Sequence, residues 1–352
     1  MEIGVYTFAD IGTQPITKET ISPRQRMVNL MEEIELADQV GLDVFAVGEH
    51  HRPDYAISAP AVVLGAAAVT TKNIKLSSAV TVLSSDDPVR VFQQFATVDL
   101  LSGGRAEIIA GRGSFIESFP LFGYHLDDYD ALFSEKLEML IQLNQSEIIT
   151  WKGKHTQTIN NVGVYPRPYQ RQIPIWVGVG GTPESIVRAA EYGLPMALAI
   201  IGGRPAAFAP HMKLYHDVYK KAGHDINKLQ LSVNSHGHIA DTSQQAREEF
   251  YPPYAEVMGR IGRERGWQGT TRAQFDESTR PQGALLVGSP QEVIDKILYE
   301  QELFGLTRLL LQMSLGAMPH QQVLHAIELL GTKVAPEVKK YIDQKKSKTE
   351  SM

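Results

Sequence analysis

The chain has no cysteine among its 352 residues. That excludes disulfides, thiolate catalysis and cysteine-ligated zinc, and it agrees with a reducing compartment. Positive charge is not in excess either: 34 Lys and Arg face 40 Asp and Glu, a net charge of −6. Without a basic footprint, nucleic acid is not an expected partner, and any taste for anions must come from local arginines. No apolar run approaches the ~20 residues that span a bilayer. The start, Met1-Glu2-Ile3-Gly4, lacks the basic lead and apolar core of a secretory signal. A cytoplasmic protein with no membrane partner is the expectation. Two absences bear on fold and chemistry. Thr7-Phe8-Ala9-Asp10-Ile11-Gly12 does not supply the Gly-x-Gly-x-x-Gly turn of open dinucleotide-binding sheets. The first apolar run carries Tyr6 and Phe8 rather than a His-x-His pair, so no metal is expected despite His50, His51, His236 and His238.

What is present is material for one large core, with 43% hydrophobic and 21% charged residues. Short β-branched runs alternate with longer amphipathic stretches. Strands are predicted at 3–8, 43–47, 74–83, 105–110, 175–179, 195–201, 230–239 and 306–312. Helices are predicted between them: 23–41 behind Ser22 and Pro23, 60–71, 88–101 ended by Gly103-Gly104, 128–144, 182–192, 205–222, 242–259, and 290–304 behind Ser289. Such alternation makes parallel strands with crossover helices. A closed (β/α)8 TIM barrel is the reading, as one domain over 1–335 followed by a charged, solvated tail at 336–352. Two insertions break the pattern. The stretch 148–168, with Thr150-Trp151-Lys152-Gly153-Lys154-His155, signals a β-hairpin. The stretch 262–283 is polar, rich in Gly and Arg, and is expected to be a lid.

In parallel α/β folds, chemistry collects where strand C-termini meet their loops. Gly48-Glu49-His50-His51-Arg52-Pro53 follows the run Val44 to Val47 and places imidazoles on that rim, for proton transfer or simply as a polar turn. In Ala110-Gly111-Arg112-Gly113-Ser114-Phe115, two glycines let backbone approach an anion while Arg112 supplies charge-assisted bonds. Val179-Gly180-Gly181-Thr182-Pro183 closes a strand and opens a helix, where amides and the helix dipole favour phosphate. The last two are ordinary turns taken singly; together, on one rim, Arg112 and the Gly180–Thr182 turn read as a phosphate cradle. Ser77-Ser78-Ala79-Val80-Thr81-Val82-Leu83 reads as a buried strand with small packing residues, which also suits a flat ring against backbone.

Val47-Gly48-Glu49-His50-His51, Ser78 to Leu83 with Asp87-Pro88-Val89-Arg90, Leu101-Ser102-Gly103-Gly104-Arg105, Gly111-Arg112-Gly113 and Leu286-Val287-Gly288-Ser289-Pro290 keep one order along nearly the whole chain. This series resembles the bacterial luciferase-like flavin-dependent monooxygenases. The resemblance implies a TIM barrel that uses FMN, reduced by a separate flavin reductase, with molecular oxygen on a small organic substrate, in a homodimer. It implies that His50 sits beside the flavin and manages protons, that Ala79-Val80 is a cis peptide beneath the ring, and that Tyr6 or Phe8 flanks it. It further implies that Arg112, with Gly113 and Ser114, and Gly180, Gly181 and Thr182 hold the phosphate. One departure stands out: a second phosphate arginine of the family falls near Asp130, so Ser114 or Ser185 would have to compensate. The alternatives left open are a deazaflavin (F420)-dependent hydride-transfer enzyme and a non-catalytic flavin-binding protein.

Overall fold

The computed structural model describes residues 1–14, 18–113 and 115–350, without the side chains of 346 and 348–350. Strands in chain order are β1 (Glu2–Thr7), β2 (Val44–Val47), β3 (Lys75–Ser78), β4 (Thr81–Val82), β5 (Ala106–Gly111), β6 (Ile148–Trp151), β7 (Ile159–Gly163), β8 (Ile175–Val179), β9 (Met196–Ala199), β10 (Leu231–Ile239), β11 (Leu286–Gly288) and β12 (Arg308–Gln312). The α-helices are α1 (Pro23–Gln39), α2 (Pro60–Thr70), α3 (Pro88–Ser102), α4 (Ser118–Leu121), α5 (Tyr129–Gln145), α6 (Pro183–Glu191), α7 (Ala209–Lys221), α8 (Ser243–Arg265), α9 (Arg272–Ser278), α10 (Pro290–Phe304), α11 (His320–Leu329) and α12 (Ala335–Glu350).

Eight strands close on themselves in parallel, in the order β1-β2-β3-β5-β8-β9-β10-β12, with β12 returning to β1 in the register Ile3 against Leu309 and Val5 against Leu311. This is the predicted barrel. Both strand faces are buried because helices cover the outside and side chains fill the inside. Ile3, Val5, Phe45, Leu76, Ile108, Val177, Leu198, Val233 and Leu309 join the large outer core with the helices. The inner faces carry Tyr6, Val44, Ala46, Ala79, Ile109, Trp176, Ala197 and Leu310. The inner floor, at the strand N-termini, is charged: Arg308 pairs with Glu107 at 2.6 Å and with Glu2, and Lys75 with Glu2 at 2.7 Å. Arg308 also lies 4.2 Å over the Trp176 ring. The open end therefore lies at the strand C-termini.

Helix starts follow their caps. Ser22 and Ser289 accept from the amides of Gln25 and Glu292, each with proline next, and Gly103 ends α3 in the left-handed region at φ +68°. The hairpin expected within 148–168 is the antiparallel pair β6–β7.

Three expectations change. The strand over 74–83 is two pieces, β3 and β4, separated by a cis Ala79–Val80 peptide, and β4 pairs with the end of β5. The stretch 262–283 is not structureless: α8 runs into it as far as Arg265, and α9 starts with a full capping box between Thr271 and Gln274. Phe275 there is fully buried with Phe250, Tyr254 and Leu285 in a satellite core, so one apolar residue anchors a polar segment that a periodicity argument passes over. The tail is likewise a helix to Glu350, with Val338 and Ile342 buried in the main core and Lys340 and Lys345 exposed. Among the described residues no helix is long and apolar enough to cross a membrane.

Candidate active site

β2 ends at Val47, and the next residues cross the barrel mouth. Gly48 has no room for a side chain: a Cβ would stand 2.3 Å from the Phe8 ring and 2.4 Å from the Ala79 carbonyl oxygen. The turn therefore lies directly on β1 and the cis peptide. His50 donates its backbone N–H to Ile57 at 3.0 Å. Its ring stacks on Phe8 at 4.4 Å, with Tyr55 at 4.5 Å and Phe115 edge-on at 4.8 Å. Burial in this aromatic box, aided by the charges of Arg52 and His51, lowers the imidazole to about 3. The sequence alone suggests a histidine that titrates near neutrality; the structure makes it a neutral ring, with one N–H donor and one lone-pair acceptor. His51 turns away, with Nε2 3.4 Å from Glu49 Oε1 and its ring edge-on to Phe122.

The turn is clamped from outside. Arg52 meets Glu264 at the end of α8, Glu117 at 2.7 Å and Asp54 at 3.2 Å, and lies over Phe115 at 4.5 Å. Arg260 of α8 pairs with Asp54 at 3.0 Å. The C-terminal end of α8, assigned to a lid by sequence, is thus a strap on the His50 loop.

Ala79–Val80 is the cis peptide that the resemblance implies. Val80 lies between β5 and β8, and both strands yield to it. A Cβ on Gly111 would come within 2.6 Å of Val80, and one on Gly178 within 2.8 Å. Ala46 and Ala79 share this inner cluster with Val80, Phe8 and Tyr6, and the last two meet edge to face at 5.9 Å.

Arg112 leaves β5 on the same side. It donates to Thr182 Oγ1 at 3.1 Å and pairs with Asp130 through its other Nη. Tyr129 supports it, with the ring 4.9 Å below the guanidinium and the hydroxyl donating to the Gly113 carbonyl at 2.9 Å. Gly113 is in the left-handed region at φ +82°. Ser114 lies outside the described residues. Thr182 is the N-cap residue of α6, but its hydroxyl meets the Ser185 hydroxyl at 2.8 Å instead of capping an amide. A side chain on Gly180 would meet open space, and Gly181 at φ +104° holds its carbonyl 2.9 Å from His211 Nε2. Asp130, the departure from the family pattern, sits on Arg112 and lies 3.8 Å from Arg188 Nη2. Arg188 was missed by sequence reading; it sits inside α6, and only the fold brings it to Asp130. Burial and the charge of Arg112 hold its guanidinium below the usual value.

A polar wall completes the mouth, in which Asp10 and Gln312 were missed by sequence. Tyr6, Gln312 and His236 occupy adjacent register positions on β1, β12 and β10. Asp10 follows β1; it accepts from the Gly316 amide at 3.0 Å and lies 3.5 Å from Gln312 Nε2. Its burial, opposed by the Gly316 bond and the charges of Arg26 and Arg260, raises the carboxyl to about 6. Asp10 also borders a cavity of about 530 Å³ between α1 and the Ser314 to His320 segment. His236 is buried and lowered to about 4 by desolvation. His238 belongs elsewhere: its Nε2 is 2.7 Å from Glu249 and its ring stacks on Phe250.

Comparison with known proteins places this geometry in a family. Residues 1–307 match the model of the luciferase-like monooxygenases. The alkanal monooxygenase alpha chain of Photobacterium leiognathi is 26% identical over 330 residues, spanning 86% of this chain and 91% of that one. A monooxygenase from Streptomyces bottropensis superposes with a TM-score of 0.82 at 24% identity, covering 96% of this chain and 99% of that one. The oxygenating constituent of 3,6-diketocamphane monooxygenase of Pseudomonas putida, a type II Baeyer-Villiger enzyme in complex with FMN, gives 0.74 at 21% identity over 96% and 98%. A coenzyme F420-dependent tetrahydromethanopterin reductase from Methanopyrus kandleri gives 0.72 at 20% over 96% and 99%.

Proposed function

Because this chain belongs to the luciferase-like monooxygenase family, we propose that it binds reduced FMN at the C-terminal rim and uses it with molecular oxygen to oxygenate a small organic substrate. Reduced FMN, when bound, supplies the electrons and the site of oxygen activation; the chain supplies position, shelter from water and proton control. The observation that carries the reading is an anion site next to the cis Ala79–Val80 peptide at the barrel mouth. Arg112, which meets Thr182 beside the Gly180–Gly181 turn, directly follows Gly111, and Gly111 and Gly178 lack side chains where Val80 of the cis peptide packs on them. A planar ring with a phosphate tail fits that shape and charge.

Tyr6 and Phe8 flank the ring. His50, in its aromatic box, holds or passes a proton as a neutral ring that donates at one nitrogen and accepts at the other. Gly113 and Ser114 belong to the phosphate loop in this reading. Asp10, Gln312 and His236 face the mouth from the opposite wall, and substrate is placed there, close to the cavity beside Asp10. A separate flavin reductase, a homodimer and a cytoplasmic location complete the proposal.

The second reading, F420-dependent hydride transfer, is favoured by the Methanopyrus reductase neighbour. A non-catalytic flavin-binding protein would keep the phosphate site and have no use for the His50 box. Titration separates these readings. FMN should quench or be quenched at much lower concentration than riboflavin or a deazaflavin. Arg112→Ala, by removing a charge-assisted contact worth about 1.5–3 kcal/mol, should weaken FMN about ten- to hundredfold while leaving riboflavin unchanged. Equal affinity for FMN and riboflavin would overturn the phosphate assignment, and preference for deazaflavin would select the second reading.

A further inference from the structure

Two guanidinium groups converge on one carboxylate at the phosphate end of the mouth. Arg112 comes from the end of β5 and Arg188 from the second turn of α6, and Asp130 at the start of α5 takes both, directly and at 3.8 Å. Among the described residues, Arg188 Nη1 is buried with no hydrogen-bond partner, and the guanidinium lies 5.4 Å from the Phe133 ring. Ser185 and Arg188 stand three residues apart, so they share a face of α6 with Thr182. A single carboxylate cannot fill the forks of two arginines; a phosphate monoester, with three free oxygens and nearly two charges, can. Asp130 is also the most exposed member of the group, its side chain 68% accessible against 19% for Arg112 and 14% for Arg188. It can leave for water at little cost, since exposed ion pairs contribute at most about 1 kcal/mol.

We propose that Arg188 is the second phosphate-binding cation of this chain, and that Asp130 is an internal anion that keeps Arg112 and Arg188 together until a phosphate displaces it. The inference rests on the FMN reading above. It explains how a chain with an aspartate where the family resemblance implies an arginine still has two positive charges at this point, the second delivered from another element. It also predicts that Asp130 opposes binding mildly while Arg188 favours it strongly.

The test is equilibrium titration with FMN, riboflavin and inorganic phosphate on wild type, Arg188→Ala, Arg188→Lys and Asp130→Asn, with thermal melts to verify folding. Arg188→Ala should weaken FMN about ten- to hundredfold, leave riboflavin unmoved, and be partly rescued by lysine. Asp130→Asn should tighten FMN up to about fivefold, the scale of losing one exposed competing ion pair. If Arg188→Ala shifts FMN and riboflavin together, or neither, Arg188 is a packing residue and the proposal fails. If Asp130→Asn weakens FMN, Asp130 organises the site and is not displaced from it. Should wild type show no preference for FMN over riboflavin, the FMN reading fails by itself. Inorganic phosphate then decides the anion site: stabilisation of the fold by phosphate that Arg188→Ala removes upholds it, and no phosphate effect overturns it.

Discussion

His50 shows how a residue's surroundings set its chemistry. The sequence places an imidazole on the rim, but the stack of Phe8, Tyr55 and Phe115 decides that it is uncharged at neutral pH. The linkage to stability has a definite sign. The ring titrates at about 3 in the fold and near 6.5 when unfolded, so between those values the unfolded chain binds more protons. The stability held by the neutral ring is complete above about pH 6.5 and drains away as pH falls towards 3. His50→Gln should therefore lose less stability than wild type on going from pH 7.5 to pH 5, read as the shift in urea midpoint. Parallel shifts in the two proteins would mean that the ring is not desolvated. His50 and Arg112 were legible as candidates because strand-end motifs place them on the rim. Arg188, Asp10 and Gln312 were not, because no local pattern distinguishes an arginine inside a helix that meets Asp130 from one that meets water.

At the scale of elements, the correction to 262–283 is the instructive one. A run of polar residues broken by glycines looks like a flexible cover, yet α8 and α9 pack through Phe250, Tyr254 and Phe275, and α8 reaches the His50 turn through Arg260 and Glu264. Few apolar side chains do the packing there, so periodicity carries little signal, whereas the capping box at Thr271 and Gln274 was a readable start that went unused. Phe275→Ala should cost about 3–5 kcal/mol by urea unfolding, the range for emptying a buried phenylalanine. FMN affinity should stay close to wild type, because the phosphate contacts lie on other loops. An unchanged unfolding midpoint would return the segment to the status of a loose cover. The strand over 74–83 failed for a different reason: nothing in Ser78-Ala79-Val80-Thr81 read as composition marks a cis bond, and only the resemblance pointed to it.

For the whole molecule, the barrel was legible because eight strands buried on both faces alternate with capped helices, and that pattern has few closed solutions. Closure of β12 onto β1 then decides what no stretch of sequence states alone. It seals the lower end with the Glu2, Lys75, Glu107 and Arg308 network and leaves one mouth, bordered by His50, by Arg112 and Thr182, and by Asp10 and Gln312. The central claim is that this mouth directs the reaction of reduced FMN with oxygen. Its most direct test is stopped-flow mixing of the anaerobic complex of protein and reduced FMN with oxygenated buffer, following flavin oxidation by absorbance in wild type and His50→Ala. The expected result is oxidation of bound flavin with kinetics distinct from free reduced FMN, changed by about 10²–10⁴ in His50→Ala, the scale of a positioned proton donor or acceptor, with FMN affinity retained. Oxidation indistinguishable from that of free reduced FMN, and the same in both proteins, would contradict it.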